Sequence, residues 1–342
     1  MEQQYREMFD EVRSSSRLQE EVRKMSEMER KPAGRRFPRK ILMVAAVLAV
    51  LAGTAVAAVG APGTLRGWFV QEWEETTGST MDEEQLALID RLTQPVGVSD
   101  TQNGVTVTVD SVTVGDSTIW MLLKVSGEYA ESTDLRYDFD SKELTIDFLP
   151  DEVGTFGGYS VSVRDWGVTE DGMLTLLIVF NIHFAGETSL LDTPRQVTLV
   201  LNDLVHNDIR WKGDKFKTVA EGAWCLTFPL EPGEMEKRTL EEIQVPGTNR
   251  DTGEVETMTL RDVQITSTDI TYTFAATPQD PEIMLRCALI MENGAEVRGS
   301  NSATRFLNEE RTQWSSVYYW QIPVDLSKVT ALRFGDVEIP LN

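Results

Sequence analysis

Two histidines, two cysteines and one alternating acidic pair are the residues here whose types and spacing bear on chemistry. His183 lies inside the apolar run Met173–Phe184, and His206 follows Leu204 and Val205. An imidazole on an apolar strand reads as a structural side chain sooner than as a general base, which needs a partner group beside it. Asp138 and Asp140 alternate in Tyr137-Asp138-Phe139-Asp140, so they share one strand face and could meet a divalent cation. No Asx-rich loop with glycine accompanies them, and a solvated acidic edge is the plainer reading. Cys225 and Cys287 each sit mid-strand beside apolar neighbours, which favours buried free thiols over a bridge. The chain contains no Gly-x-Ser-x-Gly, no P-loop, no His-Glu-x-x-His and no Gly-x-Gly-x-x-Gly after a strand. The residues point to no enzyme, no cofactor and no metal.

The elements that carry these residues are mainly strands. From Val96 the hydrophobic period becomes two: Val105-Thr-Val-Thr-Val109 alternates after the turn pair Asn103-Gly104. Strands are expected over Thr118–Val125, Leu144–Phe148, Ser160–Val163, Met173–Phe184, Gln196–Leu204 and Trp224–Leu230. Glu231-Pro232-Gly233-Glu234 interrupts the series. A second series covers Thr239–Gln244, Glu254–Thr266, Ile270–Ala275, Ile283–Met291, Glu296–Ser300, Ser315–Ile322 and Val329–Leu341. The spacing predicts two immunoglobulin-like β-sandwich domains, residues 96–232 and 233–342, with a single larger twisted β domain as the alternative. Ahead of them, residues 64–95 read as an amphipathic helical connector. Asp82–Thr93 is its clearest helix, and Trp68, Phe69 and Trp73 are placed as aromatics anchoring at a bilayer surface.

Charge is distributed in blocks. The 342 residues carry a formal net charge of −23, yet residues 1–40 hold 11 Lys+Arg against 8 Asp+Glu. Residues 41–63 hold no charge at all, and residues 64–342 hold 21 against 47. So acidic a body disfavours nucleic acid as a partner. The 19 residues from Ile41 to Val59 would span roughly 28 Å as a helix, about a bilayer's hydrocarbon thickness. Arg35, Arg36, Arg39 and Lys40 abut its N-terminal side, which predicts a single-pass cell-membrane protein, N-terminus cytoplasmic and acidic body extracytoplasmic. Residues 41–63 are thus expected to be a transmembrane helix in the lipid bilayer. Ala55-Val56-Ala57 resembles a signal-peptidase site, but a 40-residue patterned head and a 19-residue apolar stretch both exceed a signal peptide's proportions. Ala45, Ala49, Gly53, Ala57 and Ala61 recur every fourth residue, a ridge that offers self-association through the helix.

The head, residues 1–40, reads as two short helices. Tyr5, Met8, Phe9 and Val12 form one apolar stripe; Leu18, Val22 and Met25 form a second, after a capping box of Ser16 and Gln19. Helices this short are marginal alone, and an apolar stripe in a charged segment calls for a cover. A protein partner is one cover. The inner leaflet, drawn by the basic run, or the hairpin itself is the other.

Those residues carry a resemblance. Tyr5-Arg-Glu-Met-Phe-Asp-Glu-Val12, then Ser16-Arg-Leu-Gln-Glu-Glu-Val-Arg-Lys-Met25, a basic run and one span resemble the membrane-anchored anti-sigma-factor-like proteins of Gram-positive bacteria. Pro95-Val-Gly-Val-Ser99 through Asn103–Ser111 is similar to the start of their extracytoplasmic domain of unknown function. Pro323-Val-Asp-Leu-Ser-Lys-Val329 is similar to the end of one. The resemblance implies a regulator whose cytoplasmic helices sequester an extracytoplasmic-function sigma factor while the outer domains sense or respond at the envelope. It also implies a zinc-free contact, since no Cys or His precedes His183. The alternative is an anchored extracytoplasmic binding or adhesion module with no sigma-factor role.

Overall fold

The computed structural model describes residues 63–342 apart from 128–134, 149–155, 169–171, 185–187, 209–215, 232, 250–253, 276–282, 285–286 and 342. The head with its two stripes, the basic run Arg35–Lys40, the apolar stretch 41–59 and its small-residue ridge lie outside the described residues. Within them, no helix is long and apolar enough to cross a membrane.

The described residues are mainly β, opened by two helices. Helix α1 (Leu65–Thr77) starts where the Thr64 hydroxyl accepts the Gly67 N–H and stops at Gly78. Helix α2 (Glu83–Leu92) starts at Asp82, whose carboxylate accepts the Gln85 N–H at 2.8 Å. Glu83 and Glu84 in its first turn suit the positive end of the helix. Strand β1 (Thr93–Gln102) follows at once, so the helical connector ends three residues earlier than its expected limit of 95. Pro95 is tolerated there because the register of β1 slips between Pro95 and Val98, leaving a bulge.

The first strands build a sandwich. After β1 come β2 (Val105–Val114), β3 (Thr118–Gly127), β4 (Leu135–Ile146), β5 (Phe156–Val168), β6 (Leu174–Phe184), β7 (Arg195–Asp208) and β8 (Lys217–Leu230). One antiparallel sheet runs β1-β2-β3-β6-β5 and a second runs β4-β7-β8. Their facing sides share a core that includes Val107, Met121, Ile178 and Phe180 from one and Phe139, Leu199, Trp224 and Phe228 from the other. Side chains close both open edges. On one edge the Trp224 indole donates to Val105 O (3.0 Å) and Asp100 accepts the Cys225 N–H (2.8 Å). On the other edge the Tyr159 hydroxyl accepts the Leu144 N–H (3.2 Å) and Asp165 accepts the Tyr137 N–H (2.8 Å).

Every residue of β6 is buried, so one covered face cannot account for it. The opposite face of the five-stranded sheet is covered too. Trp120, Leu122, Leu177 and Val179 join a second core with Leu65, Trp68, Phe69 and Trp73 of α1. The Phe69 and Trp120 rings meet edge to face at 5.7 Å. Trp68, Phe69 and Trp73, expected at a bilayer surface, are therefore internal. Helix α1 turns its apolar face to the sheet, where each indole removes more apolar area from water than an interfacial position would.

That second core continues into the remaining strands: β9 (Lys237–Asn249), β10 (Val255–Thr266), β11 (Asp269–Ala275), β12 (Ile283–Met284), β13 (Cys287–Met291), β14 (Glu296–Phe306), β15 (Gln313–Trp320), β16 (Val329–Phe334) and β17 (Val337–Pro340). They form one nine-stranded sheet, ordered β12-β9-β10-β11-β15-β14-β13-β16-β17. Two of the expected strands divide. Ile283–Met291 becomes β12 and β13, far apart in the sheet, and Val329–Leu341 becomes a hairpin. Strand β14 pairs with β13 through residues 296–298 and with β15 from Gly299 on, and the register shifts at the change-over. A Cβ at Gly299 would sit 3.2 Å from a Tyr318 ring carbon and 3.3 Å from Cys287 Sγ, so a larger residue at the crossing would press these side chains back. The sheet thereby folds over itself until Tyr272 on β11 meets Phe334 on β16, ring centres 6.2 Å apart. Arg238 closes the gap between β9 and the C-terminal strands, donating to Leu326 O (2.7 Å), Leu341 O (2.8 Å) and Val329 O (3.3 Å).

Candidate functional site

The sequence-derived candidates among the described residues stay apart and already have structural partners or none at all. His183 is buried on β6, its Nε2 makes no hydrogen bond, and burial, with Arg305 adding, pushes its pKa down to about 4. It is a neutral imidazole at physiological pH. His206 lies edge-on to the Tyr137 ring, centres 6.3 Å apart. Asp138 is engaged by Lys142 Nζ (2.8 Å) and the Phe139 N–H (2.7 Å), while Asp140 is exposed. Among the described residues no group of three or more His, Cys, Asp or Glu could hold a metal ion. Cys287 is buried, and burial raises its thiol pKa well above the usual range, but Cys225 is exposed. The expectation of two buried thiols is corrected for Cys225: along β8 it points away from the sandwich, between inward Trp224 and Leu226.

The densest buried polar chemistry lies where the two strand sets meet, at residues the sequence alone does not single out. The β2–β3 turn, Gly115-Asp116-Ser117, enters the β10–β11 turn, Ser267-Thr268. The turns approach so closely that a Cβ on Gly115 would lie 2.4 Å from Thr268 Cγ2. The Asp116 N–H donates to Thr268 Oγ1 at 3.2 Å, between residues 152 apart in sequence. Backbone bonds lock each turn to its surroundings. Ile182 N donates to Ser117 O (2.7 Å), Leu190 N to Asp116 O (2.9 Å), Trp320 N to Thr268 O (2.8 Å) and Val324 N to Ser267 O (2.7 Å).

Two carboxylates sit in this weave. Asp269 is 2% exposed and accepts from three hydroxyls, Ser117 Oγ, Thr266 Oγ1 and Thr268 Oγ1. Asp116 accepts from Ser189 Oγ and pairs with Lys237 Nζ at 3.1 Å. Burial first, and the Asp116 charge second, push the Asp269 pKa up to about 6; the three hydroxyls pull the other way. The ammonium thus serves Asp116, and Asp269 relies on hydroxyls alone, at the meeting of two sheets. Each turn is a Ser/Thr/Asp-rich strand tip, a local signal of a turn and nothing more. Only the fold brings the tips together.

A small cleft opens beside this junction between Trp68, Trp120, Asn181, Trp320 and Gln321. Arg164 at its mouth lies 5.4 Å over the Trp68 ring and pairs with Glu72 at 2.6 Å. The three indoles are 6%, 1% and 1% exposed, so none offers a face on which a sugar or base could stack.

No family model matches the chain, and no curated protein matches it. A solved structure with a similar arrangement is the conserved domain protein from Bacillus anthracis, with a TM-score of 0.45 and 12% identity over 71% of this chain and 77% of that one.

Proposed function

We propose that this protein is a single-pass membrane regulator of the anti-sigma-factor type. In this reading residues 41–63 cross the bilayer and two β units of immunoglobulin size stand outside the cell. Inside, Tyr5, Met8, Phe9, Val12, Leu18, Val22 and Met25 hold an extracytoplasmic-function sigma factor inactive. The observation that carries the reading is the partition of charge: a head of balance +3, an uncharged stretch of 19 residues up to Val59, and a body of balance −26. A short connection supports it. The first core side chain among the described residues, Leu65, follows Val59 by only six residues along the sequence.

The test uses the full chain expressed in its native membrane. The detergent-solubilised protein is captured and its stoichiometric partners are identified by mass spectrometry. A sigma factor is expected with the unaltered chain and is expected to be lost with Phe9→Asp or Leu18→Asp. Retention of the same partner by both variants, or no sigma factor with the unaltered chain, overturns the reading and leaves the head as an anchor for an outer binding module.

A further inference from the structure

Asp116 and Asp269 come from different strand sets, yet they share one buried space, linked by Ser117, which donates to Asp269 from beside Asp116. Among the described residues the carboxylate of Asp269 is met only by hydroxyls, whereas that of Asp116 has the ammonium of Lys237. Charged and titratable groups of several elements surround the pair. Asp116 lies on the β2–β3 turn, Lys237 opens β9, and Tyr319 on β15 pairs across the ladder with Asp269. Arg195 of β7 donates to Ser189 O (3.0 Å), and Asp192 accepts the Ser189 N–H (3.0 Å). Tyr319 spends its hydroxyl on Ile182 O at 3.1 Å, and burial holds it protonated throughout the accessible pH range.

We propose that this pair is a proton-operated clamp between the two strand sets: a neutral Asp269 holds the β2–β3 and β10–β11 turns together, and ionising it loosens the junction. The physical reason is the imbalance of charge. With Asp269 protonated, the junction holds one carboxylate and one ammonium, and every hydroxyl keeps a partner. With Asp269 ionised, a second negative charge is confined without a cation of its own, and the two like charges repel across the interface. The sign follows from the raised pKa of about 6 against the free value of 3.8. The contribution to holding the sets together is complete below about pH 4 and is lost as pH rises through about 6.

Helix α1 shares the affected core, because Trp68 and Phe69 pack with Trp120 of one set and Trp320 of the other. A looser junction therefore weakens the seat of α1, the first described element along the chain. The clamp does not depend on the sigma-factor reading; it requires only that the two strand sets meet as described.

The experiment is a distance measurement on the full chain. The exposed Cys225 on β8 carries one spin label, and Glu309→Cys, exposed beyond β14, carries the other; Cys287 is buried. Pulsed electron-electron resonance is recorded across a titration from about pH 4 to about pH 8. The expected result is a narrow distance distribution at low pH that broadens through about pH 6. Asp269→Asn is expected to stay narrow at both ends. Lys237→Met, a half-exposed change that leaves the core intact, is expected to move the midpoint to higher pH, because the Asp116 charge that opposes ionisation of Asp269 then stands without its cation. A distribution that ignores pH in the unaltered chain overturns the clamp. So does an Asp269→Asn protein that titrates as before. Should Asp269→Asn not fold, an unmoved midpoint in Lys237→Met overturns it equally.

Discussion

Gln85 is a single side chain on which the seating of the helical pair can be tested. It is 2% exposed, and both ends of its amide are used: Nε2 donates to Pro323 O at 2.6 Å and Oε1 accepts the Asp325 N–H at 2.8 Å. The three residues it spans lie directly before the 3₁₀ turn Leu326–Lys328, so one amide ties α2 to the C-terminal strands 238 positions away. Gln85→Leu keeps the volume and deletes both bonds. It leaves a buried carbonyl and a half-buried N–H without partners, at roughly 1–3 kcal/mol for the first and about 1 kcal/mol for the second. The expected loss is about 2–4 kcal/mol. Gln85→Glu separates the two bonds. Its carboxylate still accepts from Asp325 N but faces the Pro323 carbonyl, and only the protonated acid can donate there. Gln85→Glu is thus expected to be as weak as Gln85→Leu near neutral pH and to recover in acid, as its own carboxyl takes up a proton. The assay is urea unfolding of the full chain followed by tryptophan fluorescence, with Trp68 and Trp73 on the neighbouring helix as reporters. A Gln85→Leu protein within about 0.5 kcal/mol of the unaltered chain would refute the reasoning, since surface changes fall in that range. An acid-insensitive Gln85→Glu would refute the assignment of the two bonds.

Two further outcomes follow from the same core. Phe69→Ala empties a fully buried ring site between Trp68 and Trp120 and is expected to destabilise the body by about 3–5 kcal/mol, measured by the same unfolding assay. Arg238→Met removes the donors to three carbonyls at the seam of the nine-stranded sheet, at an expected cost of about 2–4 kcal/mol. Its diagnostic is faster amide exchange confined to residues 326–341, and uniform protection there would count against the seam.

Much of the local structure is written in the sequence. The acidic run Asp82-Glu83-Glu84 gives the start of α2 to within one residue, Asp82 proving to be its cap. The Asn103-Gly104 pair forms the tight turn its type demands, with φ of 49° and 82°. Val105–Val109 alternates because one of its faces is wet, and its strand was legible for that reason. Met173–Phe184, covered on both faces, was legible as an unbroken apolar run, but less was legible where a kink or a packed helix intervenes. Trp68, Phe69 and Trp73 have the composition of a bilayer anchor and the position of one; only the sheet packed over them assigns them to the core. The burial of Cys287 and the exposure of Cys225 likewise follow from which way each strand faces, a matter of register.

What the sequence determined by itself is whatever depends on neighbours along the chain: the charge blocks, the uncharged stretch, the caps, the turn pairs and the two-residue period. These rest on backbone preferences and on interactions a few residues long. What the tertiary structure decided is everything that joins distant segments. Asp116 and Asp269 are 153 residues apart, and Gln85 reaches its partners across 238 and 240. Each is an ordinary polar residue in its local context. Burial makes it consequential: it removes water as the competing partner, and an acid, an amide or a guanidinium must then find its partner in the fold.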